Sequence, residues 1–241
     1  MPENKKHPWR ICPIGEHWVV THPRNLPQGP GTTEVEGHCR LNPSKRDRMR
    51  AEEIFAIAKR FFSKKLKEMP SSDDLGYPHN KGNPYDHLIA GWTQYWNDIF
   101  LPDIRLDPNL VKALIGSESS FRLKPPAQKA GAAGIARGLL QITDQAIQVL
   151  KDDKSVEIQD HLLELSRADA NDPEIQICAG IRWLFHKRKL ASNRLKREAT
   201  WDEAVAEYKA YLPKILKKDP AADLKMKPFR DDYVRLKSGK K

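Results

Sequence analysis

The sequence predicts a mostly α-helical protein with a small irregular or β-type extension at its N-terminus. Three observations predict it. Apolar residues recur with helical spacing from residue 51 onward. The Asp107-Pro108 pair stands where an apolar stripe begins, as a cap and a first-turn proline do. Turn-formers gather at the front, where residues 1–43 hold seven of the eighteen prolines. At 241 residues, with 39% hydrophobic and 31% charged side chains, the chain can bury a substantial core. No stretch approaches the roughly eighteen apolar residues that a membrane-spanning helix needs.

Within residues 1–43, two strand-like runs, His17–Val20 and Thr32–Glu36, flank the turn residues Asn25–Gly31 and read as a small hairpin module. Ser44 reads as an N-cap for a helix over residues 45–68, with Ile54, Ile57, Ala58, Phe61 and Phe62 on one stripe. A loop spans Pro70–Pro84. The helix expected over Tyr85–Phe100 carries Trp92, Tyr95 and Trp96, which read as core rather than as a ligand platform. Asp107 caps the next helix, which runs to about Ser119. A Gly/Ala-rich loop, Pro125–Gly138, follows, and then helices over Asp144–Lys151, Glu157–Ser166, Asp172–Leu190 and Trp201–Leu212. The basic segment Pro213–Lys241 has no assigned element. The expected organisation is an extension over 1–43, a helical domain over 44–212 and a basic tail over 213–241.

The net charge of +10 is uneven. Residues 181–241 hold 18 Lys and Arg against 8 Asp and Glu, while residues 1–180 hold 24 of each. Such a surface fits a polyanionic partner, or simply a solvated helical face. No nucleic-acid-binding motif accompanies it, so nucleic acid is not the expected partner. The first residues carry His7, Pro8 and Arg10 where a secretory signal needs an apolar run. Cys12, His17, His22, His38 and Cys39 lie within 28 residues; a structural zinc, a Cys12–Cys39 disulfide and neither are all open readings.

One residue breaks the pattern. Glu118 follows Val111 by seven positions, Leu114 by four and Ile115 by three, so it shares their apolar face at the end of its helix. A carboxyl there is expected to be partly desolvated and held protonated, as a general acid must be. The alternative is an ordinary acid reaching water.

The surrounding motifs are more specific. Glu118-Ser119-Ser120-Phe121 ends that helix, and Gly138-Leu139-Leu140-Gln141-Ile142 closes the Gly/Ala loop. Asp172-Pro173-Glu174-Ile175-Gln176-Ile177-Cys178-Ala179-Gly180 opens the long helix, and Ala204-Val205-Ala206-Glu207-Tyr208-Lys209-Ala210-Tyr211 lies near the end of the last one. In order and spacing, residues 105–212 resemble the soluble lytic transglycosylase family of the lysozyme-like superfamily. That family carries Glu-Ser-x-Phe, Gly-Leu-Met-Gln-Ile, Asp-Pro-x-x-Asn-Ile-x-x-Gly and Ala-x-Ala-x-Tyr-Asn-Ala-Gly. Here Leu140 replaces the methionine, Gln176 the asparagine of the third motif, Lys209 that of the fourth, and Tyr211 the last glycine. The loop between the first two motifs is longer than usual, and Ala127 stands where members often have Ser or Thr.

The resemblance implies a lysozyme-like α+β fold and cleavage of peptidoglycan glycan strands, with Glu118 as catalytic acid/base. It implies substrate contacts at Ser119, Phe121, Leu139, Gln141 and Tyr208, and neither metal nor cofactor. Residues 119–140 contain no Asp or Glu, and Asp144, the next acid, reads as a helix cap. That favours a single-acid mechanism over the usual two carboxylates. A hydrolytic muramidase and a catalytically silent wall-binding or assembly protein are the alternatives. An enzyme made in the cytoplasm without a Sec signal must reach the periplasm or wall of a target cell by another route. Type VI secretion as an antibacterial effector, or phage release, would serve. A secretion-apparatus component and an immunity protein plugging the cleft are then expected partners.

Overall fold

The computed structural model describes residues 9–26, 30–42, 46–62, 66–78, 83–124, 130–151, 157–158 and 160–239. The turn-rich front of the chain forms one long hairpin with a break in it. Strand β1 (Glu16–Val19) pairs antiparallel with β4 (His38–Leu41), and β2 (His22–Asn25) with β3 (Thr32–Val35). The two ladders keep one register, so the expected hairpin is present, but the run at residue 17 pairs with β4 and not with β3. A Cys12–Cys39 disulfide staples it. That takes both cysteines out of any zinc site, and among the described residues no cluster of three or more His, Cys, Asp or Glu could hold a metal.

The hairpin is anchored by a buried ionic knot. The Arg10 guanidinium pairs with Asp47 and, at 2.6 Å, with Glu53, and donates at 3.1 Å to the Glu16 carbonyl. His161 lies 2.5 Å from Asp47. Burial pushes the Asp47 carboxyl up, but the His161 hydrogen bond and the Arg10 charge outweigh it and hold it below the ordinary range.

Two expectations for helices fail at the same place. Arg48–Arg50 is a strand, β5, and Leu162–Glu164 is its parallel partner, β8. The helix expected over 45–68 therefore begins only at α1 (Ala51–Ile57), which runs into a π-helical turn over Ala58–Phe62. Ser44, its expected cap, lies outside the described residues. The helix expected over Glu157–Ser166 is absent: Leu162 and Leu163 are both buried, as in a strand covered on both faces, and His161 enters it at φ +53°.

The remaining helices pack around a single apolar core. They are α2 (Asp86–Phe100), α3 (Pro108–Ser119), α4 (Asp144–Lys151), α5 (Pro173–Leu195), α6 (Trp201–Tyr208), α7 (Leu212–Leu216) and α8 (Pro220–Ser238), with short strands β6 (Ala136–Arg137) and β7 (Ile142–Thr143) pairing before α4. Trp92, Tyr95 and Trp96 of α2 are fully buried, as core. Asp107 and Asp172 cap α3 and α5, accepting the backbone N–H groups of Asn109 and of Glu174 and Ile175. The helix expected over Trp201–Leu212 stops at Tyr208, because Ala210 turns left-handed at φ +59°. The basic tail is also helical. Asp219 caps α8, whose Ala222, Met226, Phe229 and Leu236 are buried, and Tyr233 donates to Asp107 at 3.0 Å. No helix among the described residues is long and apolar enough to cross a membrane.

Arg10→Ala would leave Asp47 and Glu53 buried without their cation. Urea unfolding should show a loss of about 3–5 kcal/mol.

Candidate active site

Glu118 stands in the last turn of α3, where the chain reverses through two consecutive left-handed residues, Ser120 at φ +52° and Phe121 at φ +60°. Backbone strain of this kind concentrates at functional sites. Two further left-handed residues, Gln141 at φ +49° and Ala210 at φ +59°, lie in the segments facing it.

Those segments meet because α5 holds the second motif by its backbone. The Gln176 side chain, with no exposed surface, accepts the Leu139 N–H and donates to the Ala170 carbonyl. It fits only because residue 138 is glycine: a Cβ there would fall 1.5 Å from the Gln176 amide, and the backbone is left-handed at φ +66°. Gly180, one turn further along α5, does the same for Leu140, whose Cδ1 lies 2.2 Å from where a Cβ would stand. From the other side the Tyr208 hydroxyl donates to the Leu140 carbonyl at 2.5 Å. Burial, and then the Glu118 charge, raise that hydroxyl far above its ordinary range, so it remains a donor.

The result is an open cavity of about 500 Å³ that brings Glu118, Gln141 and Tyr208 together. Ala133 and Ala136 of the Gly/Ala loop, Trp183 and Lys187 of α5, and Glu207, Lys209 and Tyr211 complete most of its wall. The Gln141 amide donates to the Gly138 carbonyl at 2.7 Å, fixing the side chain across its own loop. Three of the expected substrate contacts stand behind the wall instead. Ser119 is buried, its hydroxyl bonded to the Ile115 carbonyl at 3.2 Å; Phe121 is buried against Tyr77; Leu139 is buried and holds the loop through its N–H. Ser117, not Ser119, lines the cavity. Ala127 lies outside the described residues.

Residues 103–218, just under half of the chain, match the family model described as the transglycosylase SLT domain. This segment belongs to that family. No curated protein and no solved structure gives a match. The SLT segment therefore spans α3 through α7 and takes in every motif around the cavity. The fold is mostly helical with a small N-terminal β region, as a lysozyme-like domain should be.

The electrostatics of the site differ from expectation in two respects. Glu118 does not face apolar groups alone. The Lys209 ammonium lies 2.5 Å from its Oε1, with side-chain exposures of 10% for Lys209 and 16% for Glu118. Asp144 does not cap α4; Thr143 does, accepting the Ala146 N–H at 3.1 Å. Asp144 instead accepts the Ile135 N–H at 3.0 Å and pairs with Arg137 and Arg167; the Ile135 hydrogen bond first, and then the two guanidinium groups, hold its carboxyl below the usual carboxylate range.

Sequence reasoning passed over Trp183, Lys187 and Glu207. Trp183 and Lys187 are four residues apart and share a helix face, with the Lys187 ammonium 4.6 Å from the ring centroid. That spacing was the available signal. Glu207 gave none, because its place in the wall depends on where α6 docks. It is only 9% exposed and lies 3.4 Å from Arg194.

Gly138→Ala should displace the Gln176 clamp. Thermal unfolding should show a loss of about 2 kcal/mol or more, and binding of a glycan fragment should weaken with it.

Proposed function

We propose that this protein is a peptidoglycan lytic transglycosylase that cleaves the β-1,4 bond between N-acetylmuramic acid and N-acetylglucosamine and leaves a 1,6-anhydro sugar. The observation that carries the reading is the convergence of Glu118, Gln141 and Tyr208 on one cavity of about 500 Å³ inside an SLT segment. Glu118 protonates the bridging oxygen while the substrate's own N-acetyl group stabilises the developing cation at C1. The resulting carboxylate then takes the proton of the muramic C6 hydroxyl as that oxygen bonds to C1. Glu118 is thereby restored, and no water enters the product. Gln141 and the backbone held by Gln176 orient the sugar.

A two-carboxylate muramidase would need a second acid in the cleft. Glu207 is the other carboxylate among the described lining residues, and its burial beside Arg194 suits it to holding α6 rather than to activating water. Asp144 is tied up by Arg137 and Arg167.

The Cys12–Cys39 bridge supports action outside a reducing cytoplasm, since disulfides persist in oxidising compartments. The setting we propose is an antibacterial effector carried by type VI secretion, or a phage lytic enzyme, with an immunity protein that plugs this cleft in the first case.

Glu118→Gln should lower release of soluble fragments from sacculi by about 10²–10⁴-fold, because the near-isosteric amide cannot donate and recover a proton. Its melting temperature should stay near that of wild type. A variant that keeps more than about a tenth of the activity contradicts a general-acid role of this size. Asp144→Asn and Glu207→Gln should each keep most of the activity. A Glu207→Gln enzyme as inactive as Glu118→Gln would point to the muramidase.

Binding of the protein to sacculi should weaken as salt rises, because the basic surface of residues 181–241 meets stem-peptide carboxylates through screened contacts. A pull-down series across ionic strength checks this, and salt-independent binding assigns the segment to structure alone.

A further inference from the structure

Lys209 occupies the position where the fourth family motif has asparagine, and its ammonium lies 2.5 Å from Glu118 Oε1. Its place is fixed by how α6 ends. Lys209 is the C-cap, its N–H bonded to the Val205 carbonyl at 2.9 Å, and the left-handed Ala210 then lets the Tyr211 N–H bond back to the Ala206 carbonyl at 2.7 Å. This turn sends the lysine side chain into the cavity, where both partners of the pair are largely shielded from water. Two long charged side chains are not held in this way by solvation alone, and a shielded pair is screened far less by salt than a surface one.

We propose that Lys209 is a positioning residue of the acid/base centre: it orients the Glu118 carboxyl and stabilises the negative charge that develops on it during proton donation. This inference rests on the transglycosylase reading of the same site. A neighbouring cation stabilises whichever state of its partner carries negative charge. In the first half of the reaction Glu118 loses its proton, so negative charge develops 2.5 Å from the ammonium and the transition state gains. Lys209 therefore raises the rate of proton donation by Glu118. Among the described residues, the other charged groups in the cavity wall do not replace it. Lys187 sits over Trp183 with its pKa lowered by burial, Glu207 pairs with Arg194, and the Tyr208 hydroxyl stays protonated. Among the described residues, Tyr211 is the remaining titratable side chain in the wall.

The test compares wild type, Lys209→Asn and Lys209→Arg on purified sacculi, with kcat and KM measured across pH. Lys209→Asn should lower the plateau kcat by about 10²-fold with little change in KM, the size seen when one preorganised electrostatic contact is removed. Lys209→Arg keeps the charge, and should recover most of kcat. A Lys209→Asn enzyme with the kcat of wild type, or a Lys209→Arg enzyme as slow as Lys209→Asn, overturns the inference while leaving the transglycosylase reading intact. Wild type that releases no anhydro ends at any pH overturns the functional reading and this inference with it. Unfolding midpoints of Glu118→Gln, Lys209→Met and the double variant test the pair without activity. Non-additive midpoints are expected, and additive ones overturn the coupling.

Discussion

The cleft depends on one buried amide. Gln176 has no solvent contact, and its two polar ends join the backbone of Leu139 to that of Ala170. An amide sealed in the core must satisfy both ends or lose stability, so the loop carrying Gln141 is fixed to the long helix and cannot drift. Gly138 and Gly180 are what let the loop approach so closely. Where the family motif has asparagine, this chain uses a side chain one methylene longer; Gly138 gives the amide the space it occupies. Tyr208 closes the arrangement from α6, so the long helix and its neighbour hold the same loop from two sides.

On that frame the charges divide by burial. The structural ion pairs lie away from the cleft: Arg10 with Asp47 and Glu53 beneath the hairpin, and Lys112 with Asp86 between α2 and α3. In the cleft, Glu118 and Lys209 are shielded but open to the cavity, so a substrate can compete for them. A pair of this exposure can change partners during a reaction, whereas the Arg10 knot cannot without unfolding part of the hairpin. The knot and the apolar contacts of Trp9 and Ile11 anchor the N-terminal extension to the same core that supports the cleft, and the disulfide holds the extension's own hairpin together.

Most helices were legible because their signals are local. Asp107 and Asp172 with their prolines mark α3 and α5, and the burial of Trp92, Tyr95 and Trp96 follows from their place on an apolar stripe. The β5–β8 pair was not legible. Its two strands are 114 residues apart in register, so Leu162 and Leu163 become a strand only when Arg48–Arg50 lies beside them. The α8 helix was missed because four buried residues on a strongly basic helix are a weak stripe. Within the site, Glu118, Gln141 and Tyr208 could be chosen from motif spacing. Ser119, Phe121 and Leu139 could not be sorted into wall or cavity, because a motif records a residue's importance without its direction. Lys209 was visible as a departure from the motif, but its partner was 91 residues away.

The most direct measurement is the isotopic and chemical state of the cut sugar. Sacculi digested in heavy-oxygen water by the full chain, then resolved by mass spectrometry, report how C1 was capped. An acid centred on Glu118 with no water-activating carboxylate predicts 1,6-anhydro muramyl ends free of heavy oxygen. Reducing muramyl ends carrying heavy oxygen would contradict it, because water and not the C6 hydroxyl would then have bonded to C1.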